Sequence, residues 1–190
     1  LNVGRDDWPF PIPLVKSSGK WHWDGVAGRE EIFFRRIGHN ELNAIAVSRS
    51  IVGAQQEYAA APHDGHKAGA YARHLVSDPG THDGLYWPAE DGKARSPAGP
   101  LLAQGASEGY NKTGVREPYH GYYYHMLENG AGFVILAYPA DYHESGIMTF
   151  QVSETGVVYQ KDLGAATDSL AQAITVYQVD STWSVVPAEE

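Results

Sequence analysis

The chain has 190 residues, a net charge of −9, 43% apolar residues, only 19% charged ones and no cysteine. A length in this range suits one domain with a real core, and the acidic balance argues against nucleic acid or anionic lipid as a partner, since both need clustered Lys and Arg. Without cysteine there is no disulfide, thiolate nucleophile or thiolate metal site.

No apolar run approaches the roughly 18–20 residues of a membrane span; the longest is Phe133 to Ala137. No signal peptide is visible, although Leu1 in place of Met points to a preceding segment. The prolines of Trp8-Pro9-Phe10-Pro11-Ile12-Pro13 favour an extended path. Leu14-Val15-Lys16, a glycine turn at Gly19 and Lys20 to Asp24 predict a small hairpin, with Trp21 and Trp23 on one face. Residues 1–26 are therefore read as an extended segment with a hairpin, and 27–190 as an α+β domain.

The period then becomes helical. Ala44, Val47, Ile51, Ala54 and Tyr58 share one face, widened by Leu42, Ile45 and Val52, which predicts a helix from about Asn40 to Ala60. Gly38 is expected to break it from an earlier helix containing Glu30 to Arg36. Ala68 to Val76 reads as a second short helix that brings Tyr71 and Leu75 together. Residues 77–98 read as turns, and Ser96-Pro97 as the start of a helix through Leu101, Leu102, Ala106 and Tyr110.

From Tyr119 onward the pattern alternates. Tyr119 to Leu127, Gly132 to Tyr138, Gly146 to Val152 and Val157 to Lys161 predict four strands, the last two joined tightly at Glu154-Thr155-Gly156. Thr167 is expected to cap a helix through Ala173, and Trp183 to Val186 to return as an edge strand. A long helix in the first half packed on an antiparallel meander is the α+β arrangement.

Four constellations carry possible chemistry. Gly105-Ala106-Ser107-Glu108-Gly109 matches a nucleophile-elbow pattern but lacks the strand-then-helix setting that the motif needs. His63, Asp64 and His66, with His74 further on, offer metal-ligating groups, against which stands the ordinary reading of solvated loop histidines. His120 and His125 would face opposite sides of a strand. Tyr119, Tyr122, Tyr123 and Tyr124 form a tyrosine-rich strand that is either a stacking platform for a sugar or peptide or a core layer with polar tips. Asp83, Glu90 and Asp91 bracket Tyr86-Trp87-Pro88, an arrangement compatible with paired glycosidase carboxylates or with exposed turn acids.

Asp7-Trp8-Pro9-Phe10-Pro11-Ile12-Pro13-Leu14-Val15-Lys16, Ala27 to Ile32, Arg36-Ile37-Gly38-His39-Asn40-Glu41, Asp83-Gly84-Leu85-Tyr86-Trp87-Pro88, Pro118-Tyr119-His120-Gly121-Tyr122-Tyr123 and Val158 to Gly164 together resemble the bacterial domain-of-unknown-function 2950 family. The resemblance spans nearly the whole chain. It implies export, with a signal peptide and a further N-terminal region, and it implies no chemistry. The family pattern has an Asp-rich, calcium-loop-like stretch where this chain has His63 to Gly69, and of it only Asp64 remains. It also has a longer insertion after the tyrosine strand.

A second resemblance, to the globular part of type IV pilins and pseudopilins, rests on the helix Asn40 to Tyr58 and on the strands from Gly132 to Val158. It implies a pilin-like architecture without the apolar half-helix that drives filament formation. The expectation is a periplasmic or extracellular, non-catalytic structural or binding module with a protein partner or self-association and no resident cofactor. The alternative is a secreted hydrolase or carbohydrate-active protein that uses the 63–96 loops and the tyrosine strand.

Overall fold

The computed structural model describes residues 1–5, 7–64, 67–89, 95–99, 118–130 and 132–187. Asn2–Val3 (β1) pairs antiparallel with Trp8–Pro9 (β2), and Leu14–Ser17 (β3) with Lys20–Trp23 (β4), which is the expected N-terminal hairpin. Asp24 then caps the long helix α1 (Gly25–Ala59), its carboxylate accepting from the Val26 and Ala27 backbone N–H groups at 3.1 and 3.0 Å. That satisfies two of the donors a helix start leaves open.

α1 runs unbroken for 35 residues, roughly 52 Å at 1.5 Å per residue. The expected break at Gly38 does not occur. Flanking contacts explain why: Arg36 donates to the Glu144 carbonyl (3.1 and 2.6 Å), Asn40 to the Ser145 carbonyl (2.8 Å), and Glu41 accepts from Ile147 and Met148 N–H (3.0 Å each). Tertiary bonds on both sides of the glycine outweigh its roughly 1 kcal/mol helix penalty.

Five strands form an antiparallel sheet in the order β11-β10-β9-β8-β7, comprising Tyr122–Asn129 (β7), Gly132–Pro139 (β8), Met148–Ser153 (β9), Val158–Asp162 (β10) and Ser184–Val185 (β11). The meander is the one the sequence predicts, and β11 is an edge. β8 is buried on both faces, which is why its sequence is a continuous apolar run instead of an alternating one. Phe133, Ile135 and Ala137 join the core under α1, while Leu136 and Tyr138 pack on the opposite side with Ala171 of α2 (Thr167–Ala173).

Five further expectations are corrected. Residues 74–76 are not helical: His74–Val76 (β5) pairs in parallel with Gly84–Tyr86 (β6), because the 69–72 backbone is already tied to α1, Gly69 N–H to the Ala59 carbonyl and Ala72 to the Gln55 amide. The tyrosine strand starts at Tyr122 and not at Tyr119, since His120 (φ 48°) and Gly121 (φ 75°) turn left-handed. A Cβ at Gly121 would lie 2.6 Å from Asn40 Nδ2, so the turn presses directly on the helix. Leu42, expected on the core face, is 59% exposed.

Thr167 does not cap α2; it is the helix's first residue, and its hydroxyl donates back to the Gly164 carbonyl. Ser96 and Pro97 form no helix start, the Ser96 hydroxyl donating to the Ala98 carbonyl. The remainder of that predicted helix and the Ser107 motif lie outside the described residues.

Candidate functional site

At the C-terminal end of α1 a cleft of about 570 Å³ opens between Tyr58, the segment 67–74, Asp83 and the β7–β8 end of the sheet. Its wall is fixed by a buried side chain. Gln55 donates to the Ala72 carbonyl and accepts from the Ala72 N–H, both at 2.9 Å, so a helix amide closes the two bonds a neighbouring strand would make. Tyr71 stands edge-on to Phe133 with ring centroids 4.9 Å apart.

Asp83 lines this cleft and accepts on Oδ1 from the Thr81 hydroxyl (2.7 Å) and the Asp78 N–H (3.0 Å). Burial by itself would raise its pKa, but these bonds and nearby His74 outweigh burial and hold the carboxyl below its usual range. It is an anion near neutral pH, suited to accepting hydrogen bonds and poorly suited to donating a proton. Glu90 and Asp91, its proposed carboxylate partners, lie outside the described residues.

The 63–64 segment is used structurally. His63 stacks on Tyr58 (centroids 4.1 Å) and tilts against Trp87 (5.7 Å), and His82 also tilts against Trp87 (4.5 Å). Asp64 accepts from the His82 N–H, and the Tyr58 hydroxyl donates to the His82 carbonyl. Burial, then the charges of Asp64 and Asp83, push the Tyr58 phenol up. Trp87 is buried, and Tyr86 is half-buried at the end of β6. Among the described residues no three His, Asp or Glu side chains converge as metal ligands. His66 lies outside the described residues.

The tyrosines separate. Tyr122 and Tyr124 point into the core beneath α1, and Tyr123 to the other face beside Tyr138. The Tyr122 hydroxyl donates to the Met148 carbonyl at 2.9 Å. Burial drives both core phenols far above their usual pKa, with the charge of Glu41 adding to the shift at Tyr122 and Tyr119 to that at Tyr124. These rings form an interior layer, not an open platform. Tyr119 faces a smaller hollow of about 310 Å³ lined by Val47, Ser50, Ala54 and Pro97. His120 is exposed in the turn, its ring 4.2 Å from that of Tyr119. Asp83 lines the larger cleft and Tyr119 the smaller hollow, while His120 lines neither of these two.

The opposite end of α1 carries a feature the motif reading missed. β3–β4 pairing sets Leu14 against Trp23 and Lys16 against Trp21, so all four share one face of the hairpin, and all four are exposed. Phe10 meets Trp23 edge-on at 5.3 Å. Arg35 lies over Trp8 (5.1 Å) and donates to the Pro9 carbonyl at 2.5 Å, while Arg36 lies over Phe33 (4.8 Å). The hairpin and Gly25 to Arg36 form an arm with Trp21 64% and Phe34 60% exposed. Two tryptophans at alternate positions were the available signal.

No curated protein matches the chain, and no solved structure does, so the pilin-like resemblance has no structural neighbour behind it. The family model described as "Protein of unknown function (DUF2950)" matches residues 1–186. With all but the last few residues covered, the chain belongs to the DUF2950 family.

Proposed function

We propose that this chain is a non-catalytic module of the bacterial envelope or extracellular space, and that it works by self-association through its N-terminal arm. One observation carries the reading. Val26, Phe33, Ile37, Ala44, Ser48, Ile51, Gln55 and Tyr58 follow one another at spacings of 7, 4, 7, 4, 3, 4 and 3, which is a single face of α1. From Ile37 onward every one of these residues is buried, whereas Phe33 is 37% and Val26 67% exposed. A core-forming stripe that continues beyond its sheet, flanked by exposed tryptophans, is the composition of an interface centre.

The charge distribution is compatible with a second copy as the occupant. Residues 1–39 hold six Lys or Arg against five Asp or Glu, net +1; residues 40–190 hold eight against eighteen, net −10. Two bodies repel one another, whereas two nearly neutral arms repel only weakly, so a two-fold arm-to-arm contact that holds the acidic bodies apart is compatible with the charge distribution. The export that the family resemblance implies supports the location.

Light scattering across a concentration series tests this reading. The chain is expected to dimerise in the micromolar range, and the double variant Trp21→Ser, Phe34→Ser to be monomeric with an unchanged urea midpoint. A chain that stays monomeric at every concentration, or a dimer indifferent to both substitutions, removes the proposal.

A further inference from the structure

We propose that the cleft at the C-terminal end of α1 binds an acidic saccharide, a uronate-containing oligosaccharide being the ligand class that fits its lining. The site goes beyond the self-association reading and is independent of it. Phe33 in the arm and Tyr58 in the cleft are separated by 25 residues of one helix, roughly 38 Å.

The volume, about 570 Å³, falls within the roughly 300–1,000 Å³ of small-ligand sites. The lining has a sign. Residues 65–77 contain no acidic side chain, and Lys67, Arg73 and His74 from that stretch line the cleft, where Asp83 is the one carboxylate among the described lining residues. In a body of net charge −10, two of the few Lys and Arg residues gathered at one cleft mark it for an anion. Their charges match a sugar carboxylate, with Arg73 offering the forked geometry that a carboxylate accepts. Asp83 supplies an acceptor for sugar hydroxyls, and Tyr71 contributes an aromatic side chain to the lining, the residue type that packs on a pyranose.

The backbone distinguishes a saccharide from an extended acidic peptide. A peptide adding itself to this wall would need main-chain donors. Gly69 N–H is bonded to the Ala59 carbonyl, Ala70 N–H to that of Lys67, Ala72 N–H to Gln55, and Arg73 N–H to the Asp83 carbonyl. With these four donors taken, recognition at this wall falls chiefly to side chains and favours a ligand rich in hydroxyls and carboxylates.

The test is an NMR titration of the full chain with three probes: trigalacturonate, neutral maltotriose and a tetraglutamate peptide. Trigalacturonate is expected to shift the amides of 67–74 saturably at millimolar concentration, with maltotriose and the peptide at least tenfold weaker. Lys67 is exposed, so Lys67→Glu leaves the melting temperature unchanged, and Lys67→Glu and Arg73→Gln each weaken trigalacturonate by roughly tenfold, as loss of a charge-assisted bond does. Trp21→Ser in the arm leaves the affinity as it is. Saturable shifts of equal strength with maltotriose, tighter binding of the peptide, no shift with trigalacturonate, or affinity unmoved by the two charge variants would each overturn the assignment.

Discussion

Between Asn40 and Ala59, α1 lies across the sheet, and Ala44, Ser48, Ile51 and Gln55 are all buried. Between Gly25 and Arg36 the same helix keeps the same spacing of apolar positions, yet Val26 and Phe33 project beyond the sheet, and Ile32 and Phe34 are exposed beside them. The changeover coincides with the bonds from Arg36, Asn40 and Glu41 to residues 144–148, where polar groups of the helix are spent on the loop leading into β9. Helicity alone therefore does not separate the two regions. What separates them is whether the periodic stripe meets a second surface within the same chain, and an amphipathic helix draws most of its stability from such packing.

The largest effect expected from this contrast comes from shortening one residue in each region. Ile51→Ala removes a fully buried branched side chain and leaves a cavity between α1 and the sheet, at a cost of about 2–5 kcal/mol. Phe33→Ala, on the same stripe, should cost less than about 1 kcal/mol in dilute solution, because the side chain has no packed core to leave. Urea unfolding at low protein concentration measures both. Equal losses would mean that the arm is packed as tightly as the body, and the contrast would collapse.

A smaller and opposite effect tests whether the two regions are one rod. Gly38 sits at the changeover, and a Cβ built there meets no atom within 4 Å. Since α1 is continuous through this position, Gly38→Ala should stabilise by roughly 0.5–1 kcal/mol. A hinge at this position would reverse the sign. The thermal midpoint of the single variant decides between the two.

The elements legible in the sequence are those whose pattern is local. Phe133 to Tyr138 is a strand buried on both faces, and its uninterrupted apolar run says so. Ala44 to Tyr58 repeats at helical spacing, and Glu154-Thr155-Gly156 has turn chemistry with Gly156 at φ 75°. Where the reading failed, a distant residue decides the outcome. Nothing near Tyr71 or Leu75 discloses that Gln55 holds Ala72 in an extended path, so an alanine-rich stretch with reasonable helix propensity becomes a cleft wall and a short parallel strand.

The candidate site was legible to the same degree. Asp83 is legible as a candidate from the acidic residues that bracket Tyr86-Trp87-Pro88. Tyr122 and Tyr124 were misleading because alternation assigns a face without saying which face is covered, and Gly146 is the residue that receives the Tyr122 ring; a Cβ there would lie 2.2 Å from the hydroxyl. Lys67 and Arg73 escaped notice because a pair of cations on a loop signifies nothing until the loop bends around a cleft.

The smallest effect expected belongs to Asp83 and is read through pH. Its carboxyl is held below the ordinary aspartate value of 3.8 in the folded chain, so the unfolded chain takes up a proton first as acid is added. The stabilisation is complete above the unfolded pKa and is lost as pH falls through the folded one. The difference in unfolding free energy between the parent and Asp83→Asn should therefore be flat from neutral pH to about pH 5 and should shrink only below about pH 4. A difference that instead grows on acidification would mean that burial outweighs the bonds from Thr81 and Asp78. The carboxyl would then be poised to donate a proton, and the cleft would have to be reconsidered as a place where a bond is broken, not merely held.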